Sequence, residues 1–240
     1  MKKSVLLAVL GVITIGCIFY GTMRHMNSFG RNGLKDFSWN FDFDDDEEVA
    51  EGEDDNSLNV PLEDFDSIKI DCQIGHIKIE EGSSFRLEST FNKEYLRPLY
   101  SVQNKTLKIT QQQRRGPNGN NNCRIHITVP AGVVFDSVDI DSNVGDIYIN
   151  DLSGKKLDTD LNVGEVRIHD VAFDNIDIDN NVGEISVSLK DNLKDYSMSL
   201  STDVGVVNVD GKTHKRHYSS NGKGSKKLNI NTNVGEVNVR

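Results

Sequence analysis

Ser142–Asp170 reads SNVGDIYINDLSGKKLDTDLNVGEVRIHD, and within it Asn-Val-Gly followed by an acid and an apolar–polar–apolar run occurs at Asn143 and again at Asn162. Working outward, six stretches align on one glycine: IKIDCQIGHIKIE at Gly75, VDIDSNVGDIYIN at Gly145, LDTDLNVGEVRIH at Gly164, IDIDNNVGEISVS at Gly183, MSLSTDVGVVNVD at Gly205 and LNINTNVGEVNVR at Gly235. Successive glycines are 70, 19, 19, 22 and 30 residues apart. Three units share a lead-in, FDSIKID from Phe65, FDSVDID from Phe135 and FDNIDID from Phe173. A period of about 20 residues marks a stacked repeat, in which one unit cannot bury its apolar face alone.

The pattern inside each unit says how the units stack. Before the glycine the apolar positions share one parity, as in Val138, Ile140 and Val144 or Ile176, Ile178 and Val182. After it the parity reverses, at Ile147 and Ile149 or Ile185 and Val187. Strand side chains alternate faces with period two, so a reversal at a glycine predicts a corner that keeps the apolar side inward. The third place of Asn-Val-Gly-Glu suits a type II turn, where that residue takes positive φ. A hairpin would favour Asn or Gly, not Val, at its first central position, leaving antiparallel hairpins in a sandwich as the weaker alternative. The expected fold is therefore all-β: a single stacked β-solenoid, parallel β-helix-like, with coils of about 19 residues. Ile140, Thr159 and Ile178 then form one internal row, and Asn143, Asn162, Asn181 and Asn233, with Asp203 in the remaining place, form a hydrogen-bonded ladder.

Ser83–Val129 lacks the glycine motif but alternates in FRLESTF, LYSVQ, TLKIT and RIHITVP, around a polar loop at Arg114–Asn122. It reads as an irregular opening of the same sheet, giving a domain over 61–240 with opening strands at 61–130 and repeats at 131–240. Cys72 falls at an inward position, which favours a buried free thiol over a bond to Cys123, though that bond stays open.

The first residues are different material. Met1-Lys2-Lys3 precedes an uncharged run from Val5 to about Gly21. Some 18 helical residues span roughly 27 Å, near the thickness of a bilayer's hydrocarbon core. Residues 1–22 are expected to be a retained transmembrane signal anchor, with a cleaved leader, or one lipidated at Cys17 in Thr14-Ile15-Gly16-Cys17, as alternatives. Lys2 and Lys3 predict a cytoplasmic N-terminus and an extracytoplasmic C-terminal domain on a single-pass chain. Residues 23–60 follow as an acidic linker, whose FDFDDDEEVAEGEDDN from Phe41 to Asn56 repels itself and carries little to bury. FSWNFDF, Phe37–Phe43, holds the one Trp.

The lysine-flanked anchor, RIHITVPAGVVFDSVDID and the NVGDIYI/NVGEVRI units resemble the bacterial "putative adhesin" family of β-strand-repeat proteins, in the toast-rack-like group of cell-envelope domains. The resemblance covers about Leu62–Arg240 and is strongest at Ile127-Thr128-Val129-Pro130, Gly145, Gly164 and Gly183. It implies a right-handed stacked-strand fold outside the membrane, and some relatives sit beside envelope-stress or phage-shock-like regulators. It brings no catalytic residues. The acidic linker and the basic insertion before the last repeat depart from the family's pattern.

Chemistry is sparse. No Gly-x-Ser-x-Gly elbow, phosphate-cradling glycine loop or His-Glu-x-x-His is present, so no catalytic residue, cofactor or metal site is expected. His214 and His217 are a weak zinc pair in a polar loop. The acids after the corner, Asp146, Glu165, Glu184 and Glu236, line one ridge about 5 Å apart, with Asp146, Glu165 and Glu184 as weak calcium candidates. The insertion Gly211–Lys227 is read as a mobile loop whose Lys212, Lys215, Arg216, Lys223, Lys226 and Lys227 could touch a polyanion. The formal net charge of −10 argues against nucleic-acid binding. These readings lead to a non-enzymatic, membrane-tethered binding or scaffold module of the cell envelope. Its partners would be the membrane, envelope proteins or anionic wall and lipid polymers, and a second copy through an uncovered C-terminal rung. The alternatives are a sensor or accessory subunit in envelope-stress signalling and a polysaccharide-active enzyme.

Overall fold

A computed structural model describes residues 56–111 and 121–240. The anchor, Cys17, His25, the linker up to residue 55 and most of the Arg114–Asn122 loop lie outside the described residues. No helix among the described residues is long and apolar enough to cross a membrane.

Alternating residues build strands almost throughout. The opening part holds β1 (Asn56–Pro61), β2 (Ser67–Ile74), β3 (His76–Gly82), β4 (Arg86–Phe91), β5 (Leu99–Gln103), β6 (Thr106–Thr110) and β7 (Cys123–Pro130). The middle holds β8 (Val134–Val144), β9 (Ile147–Asn150), β10 (Ser153–Val163), β11 (Val166–Val182) and β12 (Ile185–Leu189). The last part holds β13 (Tyr196–Val204), β14 (Val207–Val209), β15 (Lys212–His214), β16 (His217–Ser220), β17 (Lys226–Val234) and β18 (Val237–Val239). The chain is all-β, with two short 3-10 turns among the described residues.

Strands before each corner glycine join one face in the order β5, β6, β2, β8, β10, β11, β17, β13, β16. Those after it join the other, in the order β1, β4, β7, β3, β9, β11, β12, β18, β14, β15. β11 is long enough to serve both. From β6 to β13 and from β7 to β14 all pairings are parallel, and like falls on like. Ile109, Ile70, Ile140, Thr159, Ile178, Ile230 and Leu200 make one buried row, which includes the expected trio. Ile125, Ile77, Ile147, Val166, Ile185, Val237 and Val207 face it from the other side. One hydrophobic cluster fills the space between. Cys72 and Cys123 are buried within it as free thiols, and burial pushes both pKa values up.

Four expectations need correction. The corner glycines are not type II turns. Their φ values are 141°, 145°, 146° and 153° at Gly145, Gly164, Gly183 and Gly205, against about +80° for a type II turn. Their amides bond up the stack instead of across a turn, as in Gly145 N to Val163 O at 3.1 Å and Gly164 N to Val182 O at 3.0 Å. Nor do the corner valines continue the inward row. Val144 and Val163 are 47% exposed and Val204 is 56% exposed, because the chain rotates at the corner. The inward place before the glycine belongs to Cys72, Ser142, Leu161, Asn180, Thr232 and Thr202, all buried. The valines still superpose in register, Val144 on Val163 on Val182.

The third correction concerns the chain end. β17 lies between β11 and β13, and β18 between β12 and β14, so the C-terminal rung is interior and offers no open edge. The fourth is the basic insertion. Lys212–His214 and His217–Ser220 are strands, paired antiparallel to β14 and β13, and they cap that end of the stack. At the opposite end β5 caps β6, and β4 with β1 caps β7, again antiparallel.

Candidate functional site

The corner glycines hold the coils at backbone contact. A Cβ on Gly164 would lie 1.6 Å from Gly145 O, and one on Gly183 would lie 1.7 Å from Gly164 O. Positive φ and this approach together demand glycine. Beside them the expected amide ladder is present. Asn143 Nδ2 donates to Gln73 Oε1 (2.9 Å), Asn162 to Asn143 Oδ1 (2.7 Å), Asn181 to Asn162 Oδ1 (2.6 Å) and Asn233 to Asn181 Oδ1 (2.6 Å). These contacts are structural.

The acids after the corner are each engaged by neighbours. Asp146 Oδ2 lies 3.0 Å from His76 Nδ1, and Asp146 Oδ1 accepts from Glu165 N at 3.0 Å; the His76 contact holds the Asp146 pKa below the usual carboxylate range. Glu165 is bonded by Arg167 Nη2 at 2.6 Å, yet burial outweighs that cation and raises its pKa. Asn238 Nδ2 donates to Glu184 at 2.8 Å and Asn208 Nδ2 to Glu236 at 2.5 Å. Among the described residues no group of His, Cys, Asp or Glu is arranged to hold a metal ion, so Asp146, Glu165 and Glu184 do not converge on one.

A second acidic surface lies on the strands before the corner. Asp139, Asp158 and Asp177 form one outward row, and Asp141, Asp160 and Asp179 the next. The first row is partly neutralised, by Lys69 on Asp139 (3.0 Å) and Lys156 on Asp158 (2.5 Å). Asp141, Asp160 and Asp179 have no ion pair among the described residues, and they line a groove of about 280 Å³ with Asn162, Asn181, Asn231 and Asn233. Burial, then the charges of Asp179 and Asp158, raise the Asp160 pKa.

The third feature is a cavity of about 730 Å³ at the end capped by β15 and β16. Tyr196, Met198 and Tyr218 come from one face, Val209, Lys212 and His214 from the other, and Lys194, Lys223 and Arg240 reach it from flanking segments. The His214 and Tyr218 rings meet across it with centroids 4.5 Å apart.

Residues 127–240 match the family model described as Toastrack DUF4097. This part of the chain is similar to toastrack domains. A solved structure from Clostridium sporogenes, a "putative cell adhesion protein", is 18% identical over 78% of this chain and 99% of its own, with a TM-score of 0.59. A "putative adhesin" from Bacteroides fragilis is 13% identical over 79% of this chain and 98% of its own, with a TM-score of 0.40. The Clostridium structure shares the fold. A comparison with curated proteins finds no match.

Within residues 127–240 the six basic residues of the insertion separate. Lys212 and Lys223 reach the end cavity; Lys215, Arg216 and Lys227 are exposed elsewhere. Lys226 is taken up by Asp191 at 2.6 Å, which keeps the Asp191 carboxyl below the usual range. His214 and His217 are separated, His214 stacking on Tyr218 while His217 pairs opposite Ser201. Sequence reasoning missed Lys194 and Arg240, which only the fold brings beside Lys212 and Lys223. It also missed a second corner in the Gly145 and Gly164 coils, where Asp151 and Asp170 take φ of 60° and 48° at matching positions. Asp is among the few residues that tolerate this conformation, so the recurring Asp was a usable signal.

Proposed function

We propose that this chain is a membrane-tethered, extracytoplasmic β-solenoid that serves as a non-enzymatic binding or scaffold module of a bacterial cell envelope. The observation that carries the reading is the in-register parallel ladder, closed at both ends by antiparallel strands. It fixes outward side chains in rows along a rigid surface, including two adjacent rows of aspartates that repel one another. Like charges that close add nothing to folding and suit a cationic or cation-bridged partner. The apolar run behind Lys2 and Lys3 supports the tether, and the fold shared with a "putative cell adhesion protein" supports a binding role.

The experiment uses the full chain in intact cells. Ser219→Cys, exposed on the cap, should react with a membrane-impermeant maleimide before lysis, whereas the buried Cys72 and Cys123 stay silent. A photo-crosslinking residue at Asp158 should yield adducts with envelope components. Labelling of Ser219→Cys only after lysis, or no adduct from Asp158, contradicts the reading.

A further inference from the structure

Four cations gather at the capped end of this acidic chain. Lys69, Lys105, Lys155, Lys156, Lys190 and Lys226 each pair with an aspartate. Lys194, Lys212, Lys223 and Arg240 line one cavity and have no ion pair among the described residues. Asp210 is the lone acid on that lining. Among the lining side chains positive charge exceeds negative.

Their backbones are held in place. Lys223 N donates to Lys194 O at 2.8 Å, which joins two segments distant in sequence on one rim. Arg240 is fixed from both sides, its N to Val187 O at 3.0 Å and its O from Leu189 N at 3.0 Å. Lys212 pairs opposite Val209 in the strand ladder. The floor is apolar and aromatic: Tyr196, Met198, Val209 and Tyr218. Tyr196 is fully buried, its hydroxyl 2.9 Å from Phe173 O. A volume of about 730 Å³ lies in the range of small-molecule sites, roughly 300–1,000 Å³.

We propose that this cavity binds a phosphate monoester, with the doubly charged phosphate among Lys194, Lys212, Lys223 and Arg240 and the ester's apolar part on Tyr218 and Met198. The charge excess decides against a carboxylate, which supplies one negative charge where a phosphomonoester supplies up to two. Lysine ammoniums suit phosphate as point charges, and the guanidinium adds a planar fork for two of its oxygens. The apolar floor gives an ester an advantage that inorganic phosphate lacks. This assignment deepens the binding-module reading and rests on it.

The test is calorimetric titration of the full chain, held in phosphatidylcholine nanodiscs, with inorganic phosphate and with phenyl phosphate. Phenyl phosphate is expected to bind about tenfold tighter than inorganic phosphate. The double variant Lys212→Gln/Lys223→Gln should weaken both ligands about tenfold or more. Tyr218→Ser should erase the preference for the ester, and Lys215→Gln, basic but off the lining, should change neither. All of these positions are exposed or half-buried, and an unchanged unfolding midpoint confirms that each variant folds. Nanodiscs doped with phosphatidic acid that compete with phenyl phosphate assign the site to a lipid headgroup; absence of competition assigns it to a soluble ester. No binding of phenyl phosphate, or an equal loss in Lys215→Gln, overturns the proposal. Adducts from Asp158 in intact cells are read separately on the same variants, so a failed cavity and a failed binding module give different results.

Discussion

The central coils and the last two coils use the same glycine motif to different ends. From β8 to β12 the sequence order is the stacking order, and rows advance by 19 residues up to a register shift between Ile168 and Val171. At the last two coils the order inverts, and the Gly235 coil slips between the Gly183 and Gly205 coils. The side chains show why. TNVGEVNV, Thr232–Val239, repeats the central pattern, so Asn233 extends the amide ladder onto Asn181. TDVGVVNV, Thr202–Val209, carries Asp203 at the ladder position and Val206 in place of the acid. An ionised Asp accepts hydrogen bonds and cannot donate one, so it would break an interior ladder but is harmless at its end. Fidelity to the repeat, not order along the chain, decides which coil is interior.

The sharpest way to break this comparison is at the corners. Gly164→Ala sets a methyl 1.6 Å from Gly145 O at a φ of 145°, and should cost more than about 4 kcal/mol in denaturant unfolding. Gly75 aligns with Gly164 in sequence, yet a Cβ there meets nothing nearer than 3.7 Å. Gly75→Ala should therefore stay within about 1 kcal/mol of the parent, since the coil beneath it lacks a corner glycine. Equal losses at the two positions would mean that backbone contact does not set the glycine requirement.

The ladder gives the next effect. Asn181→Asp removes the donor to Asn162 and sets a charge among amides, for an expected loss of about 1–3 kcal/mol at neutral pH. Asp203→Asn, at the outer rung, should be neutral or slightly stabilising. A smaller effect of opposite sign is expected in the buried row. Thr159 lies between Ile140 and Ile178 with no partner for its hydroxyl among the described residues. Thr159→Val should stabilise by about 1 kcal/mol in the same assay.

The smallest effect lies on the aspartate face. Burial and the neighbouring aspartates raise the Asp160 pKa above its ordinary 3.8, so the folded state holds that proton more tightly than the unfolded chain. Its penalty is present above the folded pKa and absent once pH falls below the unfolded value. Asp160→Asn should thus stabilise by a few tenths of a kcal/mol at neutral pH, because exposure and salt screen the charge. The gain should vanish on acidification, as read from unfolding midpoints between pH 3 and pH 7.

Much of this was legible in the sequence where one side chain repeats a fixed task. The parity reversal at glycine, the Ile140–Thr159–Ile178 row and the asparagine ladder are local, periodic signals, and the structure carries all three. Counting parity through Val144 failed because the backbone rotates at the corner and turns that valine outward. The cap strands β15 and β16 read as loop because one side of each faces solvent and the other faces a cavity, leaving no apolar alternation. Lys194 and Arg240 lie 46 residues apart. They meet only because β17 and β18 insert, a long-range event that no window along the chain reports.

That insertion can be measured directly. In a background with Cys17→Ser, the pair Asp177→Cys/Asn229→Cys places two thiols on directly paired residues of adjacent strands, about 4.8 Å apart. Asp177→Cys/Ser199→Cys places them two strands apart, about 9.6 Å. A short bifunctional thiol reagent should bridge the first pair rapidly and leave the second open. Bridging of Asp177→Cys to Ser199→Cys instead would show coils stacked in chain order and contradict the account.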